Sequence, residues 1–157
     1  MPQTPHKLPT PTPTPAPNPS VSSSCWLPRS RRSPEGARRH LEKLLAGFPG
    51  GQRFAEDGLL LVSELVTNAV LHGTPVDNKI WLALDVNDLR LRIEVHDARG
   101  EREPVIRAAT GADDESGRGL LLVKSLSQRW GCCPRFPIGK IVWCECAPPA
   151  DRAEAVA

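Results

Sequence analysis

In SELVTNAVLHG, residues 63–73, Glu64, Asn68 and His72 recur every four residues on a stretch otherwise built mainly of Leu, Val and Ala. Residues four apart on a helix project the same way. A carboxylate, an amide and an imidazole in one row either face water or line a site. A solvated stripe is the weaker explanation, because this segment is apolar around most of its circumference. An amide oxygen is a hard ligand suited to Mg²⁺, which keeps several waters and usually also binds substrate phosphates. A carboxylate one turn away can orient a water or take a proton from an attacking hydroxyl.

Two further positions carry chemistry. Asp97 closes the apolar run LRLRIEVHD and opens the irregular stretch ARGEREP. A carboxylate at a strand end can accept two donors, such as an adenine amino group and a water; a turn-forming Asp is the plainer alternative. Gly117, Arg118 and Gly119 precede the apolar run LLLV. Glycines let backbone approach a ligand closely, and a helix starting there offers unpaired N–H groups and a positive dipole end to phosphate. Glycines also precede helices for conformational reasons alone, and no Gly-Lys-Ser/Thr follows, so this is not a Walker loop.

These residues need elements to hold them. Ser33-Pro34-Glu35 reads as a helix start with Ser33 as cap, followed by Ala37, Leu41, Leu44, Leu45 and Phe48 at helical spacing and a stop at Pro49-Gly50-Gly51. His40 on this helix reads as a surface residue between charged neighbours. A second helix runs from about Ala55 to His72, ended by Gly73 and Pro75. Its apolar residues cover more than one face, as in a helix lying on a sheet. CWLP (25–28) is a short strand. NKIWLALDV (78–86) and LRLRIEVHD (89–97) alternate and form a hairpin joined at Asn87-Asp88. Residues 98–117 lose all periodicity and read as a lid. A helix over 117–130 and a closing hairpin, GCCPRF (131–136) with GKIVWCEC (139–146), complete the order. That order predicts a two-layer α/β sandwich with a mixed, mainly antiparallel sheet and helices on one face. Residues 1–24, rich in Pro, Thr and Ser, read as a disordered tail, 25–147 as the folded domain and 148–157 as a C-terminal tail.

The chain has 157 residues and a net charge of +2, with RSRR (29–32) as its densest basic run. Nucleic-acid binding has no strong electrostatic footprint here. No apolar run approaches the roughly 20 residues that span a bilayer. No apolar signal region opens the chain, so a cytoplasmic protein is expected. The spacing of the five cysteines does not match a zinc site, and they read as small apolar strand residues. A turn at 137–140 would set Cys133 opposite Cys144, with Cys146 on the same face as Cys144. Such a thiol pair could oxidise to a disulfide.

The order of these features resembles the GHKL superfamily, which includes gyrase, histidine-kinase and mismatch-repair ATPase domains. SELVTNAVLHG is similar to its N box, VHDARGEREP (95–104) stands where the first glycine box belongs, and ESGRGLLLVKSLSQRWG (115–131) resembles the second. GKIVWCE (139–145) resembles the closing strand. Small size and wording are closest to the actinobacterial anti-sigma-factor serine-kinase branch. The resemblance covers about residues 25–147 and implies a Bergerat ATP-binding fold with ATP and Mg²⁺ as cofactors. It implies that Asn68 coordinates Mg²⁺ and that Glu64 is the general base. Asp97 would hold the adenine amino group. His72 would lie near the phosphates, or cap the helix. Gly100 would belong to the first glycine box, and Gly117, Arg118, Gly119 and Leu120 would meet the phosphates. The implied partners are an anti-sigma-factor antagonist, phosphorylated on serine, and a sigma factor bound in the alternative; a homodimer is a further implication. Two departures stand out. Arg99 and Glu101 occupy glycine positions of the first box, leaving Gly100 alone, and Ile141 stands where the family has a Thr that anchors the Asp and adenine through water. The rival expectation is a non-catalytic module that uses ATP, or the fold alone, to hold a regulator. An α/β domain with no nucleotide is the plainest alternative.

Overall fold

Apolar and polar residues alternate along KIWLALDV and LRIEVHD, so each strand has one face to bury and one to leave open. The computed structural model describes residues 19–74, 78–97 and 115–149, and these two segments are the centre of its sheet. The elements are β1 (Val21–Pro28), α1 (Ser33–Ala46), α2 (Ala55–Asn68), β2 (Lys79–Val86), β3 (Leu91–Asp97), α3 (Glu115–Leu126), β4 (Arg129–Pro134) and β5 (Lys140–Cys146). A 3₁₀ turn over Gly51–Phe54 leads into α2, and a π-helical turn over Ala69–Gly73 continues it. The sheet order is β1-β2-β3-β5-β4, and every pairing among the described strands is antiparallel. The expected mixed sheet is thus antiparallel throughout what is described.

One face of the sheet carries the core. Ile80, Leu82, Leu84 and Val86 of β2, Leu91, Ile93 and Val95 of β3, and Val142, Cys144 and Cys146 of β5 are buried. Against them pack Leu41 and Leu45 of α1, Leu61, Val62, Leu65 and Val66 of α2, and Val123 of α3. Each such side chain contributes roughly 1.5–3 kcal/mol on leaving water. This is the two-layer α/β arrangement that the element order predicts.

The opposite face has no helical layer among the described residues and is covered by its own long side chains. The Arg92 guanidinium lies 4.4 Å from the Trp143 ring centre, and the Trp26 and Trp81 rings meet at a tilt of 58° with centroids 4.8 Å apart. The buried carboxylate of Glu145 accepts from Arg90 and from Arg92 and lies 3.8 Å from Arg129. Burial alone would raise the Glu94 carboxyl, but hydrogen bonds from Arg92 and His96 hold it below the usual range.

Several boundaries differ from the sequence reading, each for a physical reason. β1 begins at Val21, four residues before the expected start and inside the expected tail, because β2 offers eight partners, from Val86 back to Lys79. Its serines find acceptors and partners there: Ser22 donates to Asp85, and Ser23 Oγ lies 2.9 Å from His40 Nε2. His40 is therefore half-buried rather than a surface residue, and burial, with Lys43 nearby, lowers its pKa. Ser33 does not cap α1. Its hydroxyl turns back to donate to the Pro28 carbonyl, and Arg32 holds the cap position without a side-chain bond. The β2–β3 turn spans 87–90, where the Asn87 side-chain oxygen accepts from the amides of Leu89 and Arg90. The last helix stops at Leu126, because the Gln128 amide already donates to the Glu145 carbonyl and begins the β4–β5 pairing.

That pairing also corrects the cysteine geometry. Trp130, not Cys133, lies opposite Cys144, and Cys133 faces Ile141. A three-residue change of register is odd-numbered, so Cys133 moves to the other face of the sheet. The expected Cys133–Cys144 thiol pair does not form, and no disulfide joins the five cysteines. Cys144 and Cys146 do share the core face. Burial pushes both thiols up, that of Cys146 to about 12 despite a backbone hydrogen bond at Leu91. Half-buried Cys25 is raised as well. Alkylation of the native protein at about pH 8 is expected to modify the exposed Cys132 and Cys133 quickly and Cys25 slowly. Cys144 and Cys146 should react only after denaturant is added. Peptide mass mapping checks this, and native-state labelling of Cys146 would contradict the burial.

Candidate functional site

Gly58 lets α2 approach the sheet closely: a Cβ there would lie 2.7 Å from Leu91 Cδ2 at the start of β3. From that crossing the helix and the strand run the same way. Asn68 follows Gly58 by roughly 15 Å of helix, and Asp97 follows Leu91 by roughly 20 Å of strand. The π-helical turn after Asn68 packs against β3. The end of α2 and the end of β3 therefore meet at one edge of the domain, which gathers Asn68 and Asp97 from distant parts of the sequence. Arg29 fixes the turn from the side by donating to the Val70 carbonyl at 3.2 Å.

Glu64 and Asn68 are both half-buried on α2. The Asn68 Nδ2 position is buried with no hydrogen-bond partner among the described residues. A buried amide end without a partner costs about 1–3 kcal/mol. Rotation of the amide exchanges its oxygen and nitrogen. Either a hydrogen-bond acceptor or, with the oxygen turned inward, a hard cation would complete it. The Thr74 hydroxyl, just beyond the π-helical turn, is likewise buried and without a hydrogen-bond partner among the described residues. Sequence reasoning passed over Thr74, which carried no periodic signal.

His72 leaves the row. The turn from Ala69 to Gly73 is π-helical, so its bonds reach five residues instead of four and the face rotates. His72 is exposed, away from the half-buried stripe of Glu64 and Asn68. The strict four-residue spacing thus overstates the row by one member.

Asp97 is 1% exposed and lies directly across from Lys140, 7% exposed, in the β3–β5 register. Lys140 Nζ stands 3.3 Å from Asp97 Oδ2, and Arg135 donates to the Asp97 carbonyl at 3.4 Å. Ile141 pairs with His96 and so faces the other side of the sheet. The residue that faces Asp97 is therefore Lys140, not Ile141 as the sequence alignment of motifs implied. Lys140 was missed because β3 and β5 are not consecutive strands, so their register cannot be read from a turn.

Gly117, Arg118, Gly119 and Leu120 lie within α3, which starts at Glu115, instead of preceding it. The first four amides of a helix lack an intrahelical acceptor. That of Gly117 is among them by position, while those of Arg118 and Gly119 fall in the bonded part. Gly100 and most of the lid expected over 98–117 lie outside the described residues.

The donor set fits Mg²⁺ held with a phosphate ligand. Among the described residues no group of three or more His, Cys, Asp and Glu side chains converges on a metal position. Mg²⁺ rarely needs one, since it is usually bound through one or two protein oxygens, substrate phosphates and water. Asn68 is a side chain here that can supply such an oxygen. No described helix is long and apolar enough to cross a membrane.

No curated protein matches the chain. Residues 27–135, more than half of it, match the histidine kinase-like ATPase domain. The matched span runs from the end of β1 through β4 and contains Glu64, Asn68, Asp97 and the glycines of α3, but not Lys140. The antiparallel sheet with helices on one face, the helix bearing Glu64 and Asn68, and the buried strand-end Asp97 are accounted for together: this chain belongs to the histidine kinase-like ATPase family, a GHKL-type ATP-binding domain.

Proposed function

We propose that the protein is a Mg·ATP-dependent serine/threonine kinase of the anti-sigma-factor type, acting in the cytoplasm on an antagonist protein. The observation that carries this reading is the pair on α2, Glu64 one turn before Asn68, with the Asn68 Nδ2 buried and without a hydrogen-bond partner among the described residues. Bound Mg²⁺ would neutralise charge on the transferring phosphoryl group. The chain supplies the rest. Asn68 would hold the ion through its amide oxygen. Asp97 accepts from the adenine amino group. The amide of Gly117 donates to a phosphate oxygen at the start of α3. Glu64 takes the proton from the attacking serine hydroxyl; the serine oxygen bonds to the γ-phosphorus as the bond to the β-phosphate oxygen breaks, and ADP leaves with that electron pair. The substrate class, an alternative sigma-factor partner and a homodimer follow from the resemblance of the N box and second glycine box.

Calorimetric titration of ATP, with and without Mg²⁺, tests the site. Wild-type protein is expected to bind with a Mg²⁺-dependent affinity that Asn68→Ala weakens on the order of 10–100-fold. Binding that ignores both Mg²⁺ and the substitution would remove Asn68 from the metal role.

A second reading is favoured by two observations. Lys140 already engages the Asp97 carboxylate, and glycines are replaced by Arg99 and Glu101 in the first box. A non-catalytic module that binds a regulator would tolerate both. Incubation with labelled ATP and an antagonist domain separates the two: intact complex formation with no phosphoserine supports the module.

A further inference from the structure

We infer that Lys140 is a base-reading residue, donating to the ring nitrogen N1 of adenine while Asp97 accepts from the neighbouring amino group. The inference deepens the nucleotide reading of Asp97 and rests on it. The two side chains stand across one β3–β5 register pair on the helix-covered side of the sheet, 3.3 Å apart, and both are buried. Burying an ammonium and a carboxylate together carries a desolvation cost that hydrophobic residues of similar volume would avoid. A pair retained at the edge where Asn68 and Asp97 meet therefore calls for a use. Chemistry supplies one. The adenine edge presents a donor, the amino group, directly beside an acceptor, N1. Its complement is an acceptor beside a donor: a carboxylate accepts only, and an ammonium donates only, through three N–H groups that can serve more than one acceptor. Guanine in the same pose presents the reverse, an oxygen toward the carboxylate and an N1–H toward the ammonium, so both contacts become repulsive. A hydroxyl facing Asp97 could donate or accept and could work through water. Lys140 fixes the polarity, so this residue makes the pocket a reader of adenine over guanine.

The test uses the full chain and three probes: ATP, 1-deaza-ATP, in which N1 is replaced by C–H, and GTP. Wild-type protein is expected to bind ATP about 10–100-fold tighter than 1-deaza-ATP, the size of a hydrogen bond to a charged group. GTP should bind at least about 100-fold more weakly than ATP, since a site with fixed polar partners rejects a mismatched edge strongly. Lys140→Met, checked for folding by circular dichroism, is expected to bind ATP and 1-deaza-ATP alike. Equal affinity of the wild type for ATP and 1-deaza-ATP overturns the inference. So does an unchanged preference in the variant, or wild-type binding of GTP within about threefold of ATP. Should Lys140→Met fail to fold, the two wild-type comparisons still decide. Absence of binding by any of the three nucleotides would instead overturn the nucleotide reading itself, and this inference with it.

Discussion

Replacing Gly51 by alanine is expected to destabilise the protein by about 3 kcal/mol, at the upper end of the usual cost of overpacking. The chain leaves α1 through Gly50, whose φ of 77° is left-handed, and enters the 3₁₀ turn at Gly51, whose amide donates to the Phe48 carbonyl at 2.8 Å. A Cβ on Gly51 would stand 2.2 Å from the Leu45 carbonyl oxygen and 2.9 Å from its carbon. Both are backbone atoms of α1, so no rotamer change relieves the clash; the helix end or the turn must move. Gly58 is the comparison. A Cβ there meets the ends of two side chains, Leu91 Cδ2 at 2.7 Å and Leu41 Cδ2 at 3.3 Å, which can shift. Alanine also gains about 1 kcal/mol over glycine inside a helix. Gly58→Ala should therefore cost no more than about 1 kcal/mol. Thermal or urea unfolding measures both, and a loss of about 3 kcal/mol corresponds to roughly 10 °C in the midpoint. Equal losses in the two variants would show that the turn at Gly51 is more pliable than its contacts imply.

The largest functional effect is expected from Glu64→Gln. If Glu64 is the base, the amide removes the proton acceptor, keeps the size and leaves Asn68 and Asp97 untouched. Phosphorylation of an antagonist domain should fall by about 10²–10⁴-fold, the usual contribution of a positioned general base. Affinity for Mg·ATP should change little, because Glu64 is assigned to the proton and not to the nucleotide. That split between rate and binding is the informative part. A variant that loses nucleotide affinity and rate together would place Glu64 in the binding shell. A variant with an undiminished rate would pass the proton to another acceptor and remove the catalytic role from α2.

The first residues of the candidate site could be named before the fold because their signals are local. Glu64 and Asn68 share a helix, and a one-turn spacing on an apolar segment is visible in the sequence whatever the tertiary arrangement. Asp97 was marked by the end of an alternating strand. The β2–β3 hairpin could be read for the same reason, since Asn87 makes its own turn. What could not be read was set by pairing between distant segments. Lys140 meets Asp97 only because β5 inserts between β3 and β4. The same non-local register turned Ile141 to the opposite face, and Cys133 joined it there through the register of the β4–β5 hairpin. Val21–Ser24 look like tail by composition and become strand because β2 has an unpaired edge to offer. His72 failed differently: the spacing rule assumes α-geometry, and the chain changes to a π-turn one residue after Asn68.

The tryptophans divide between the two sides of the sheet, and that division gives the molecule two separate optical channels. Trp26, Trp81 and Trp143 lie on the side that carries no helix among the described residues, where Trp26 is 55% exposed and Arg92 and Arg129 stand near the Trp143 ring. Trp130, opposite Cys144, packs against the core on the helix side. Light emitted by the first three responds to whatever settles on the bare sheet, and emission from Trp130 responds to events among the helices. With Trp130→Phe, nucleotide binding at Asp97 should pass almost unseen in intrinsic fluorescence, whereas a protein docking on the sheet should remain plainly visible.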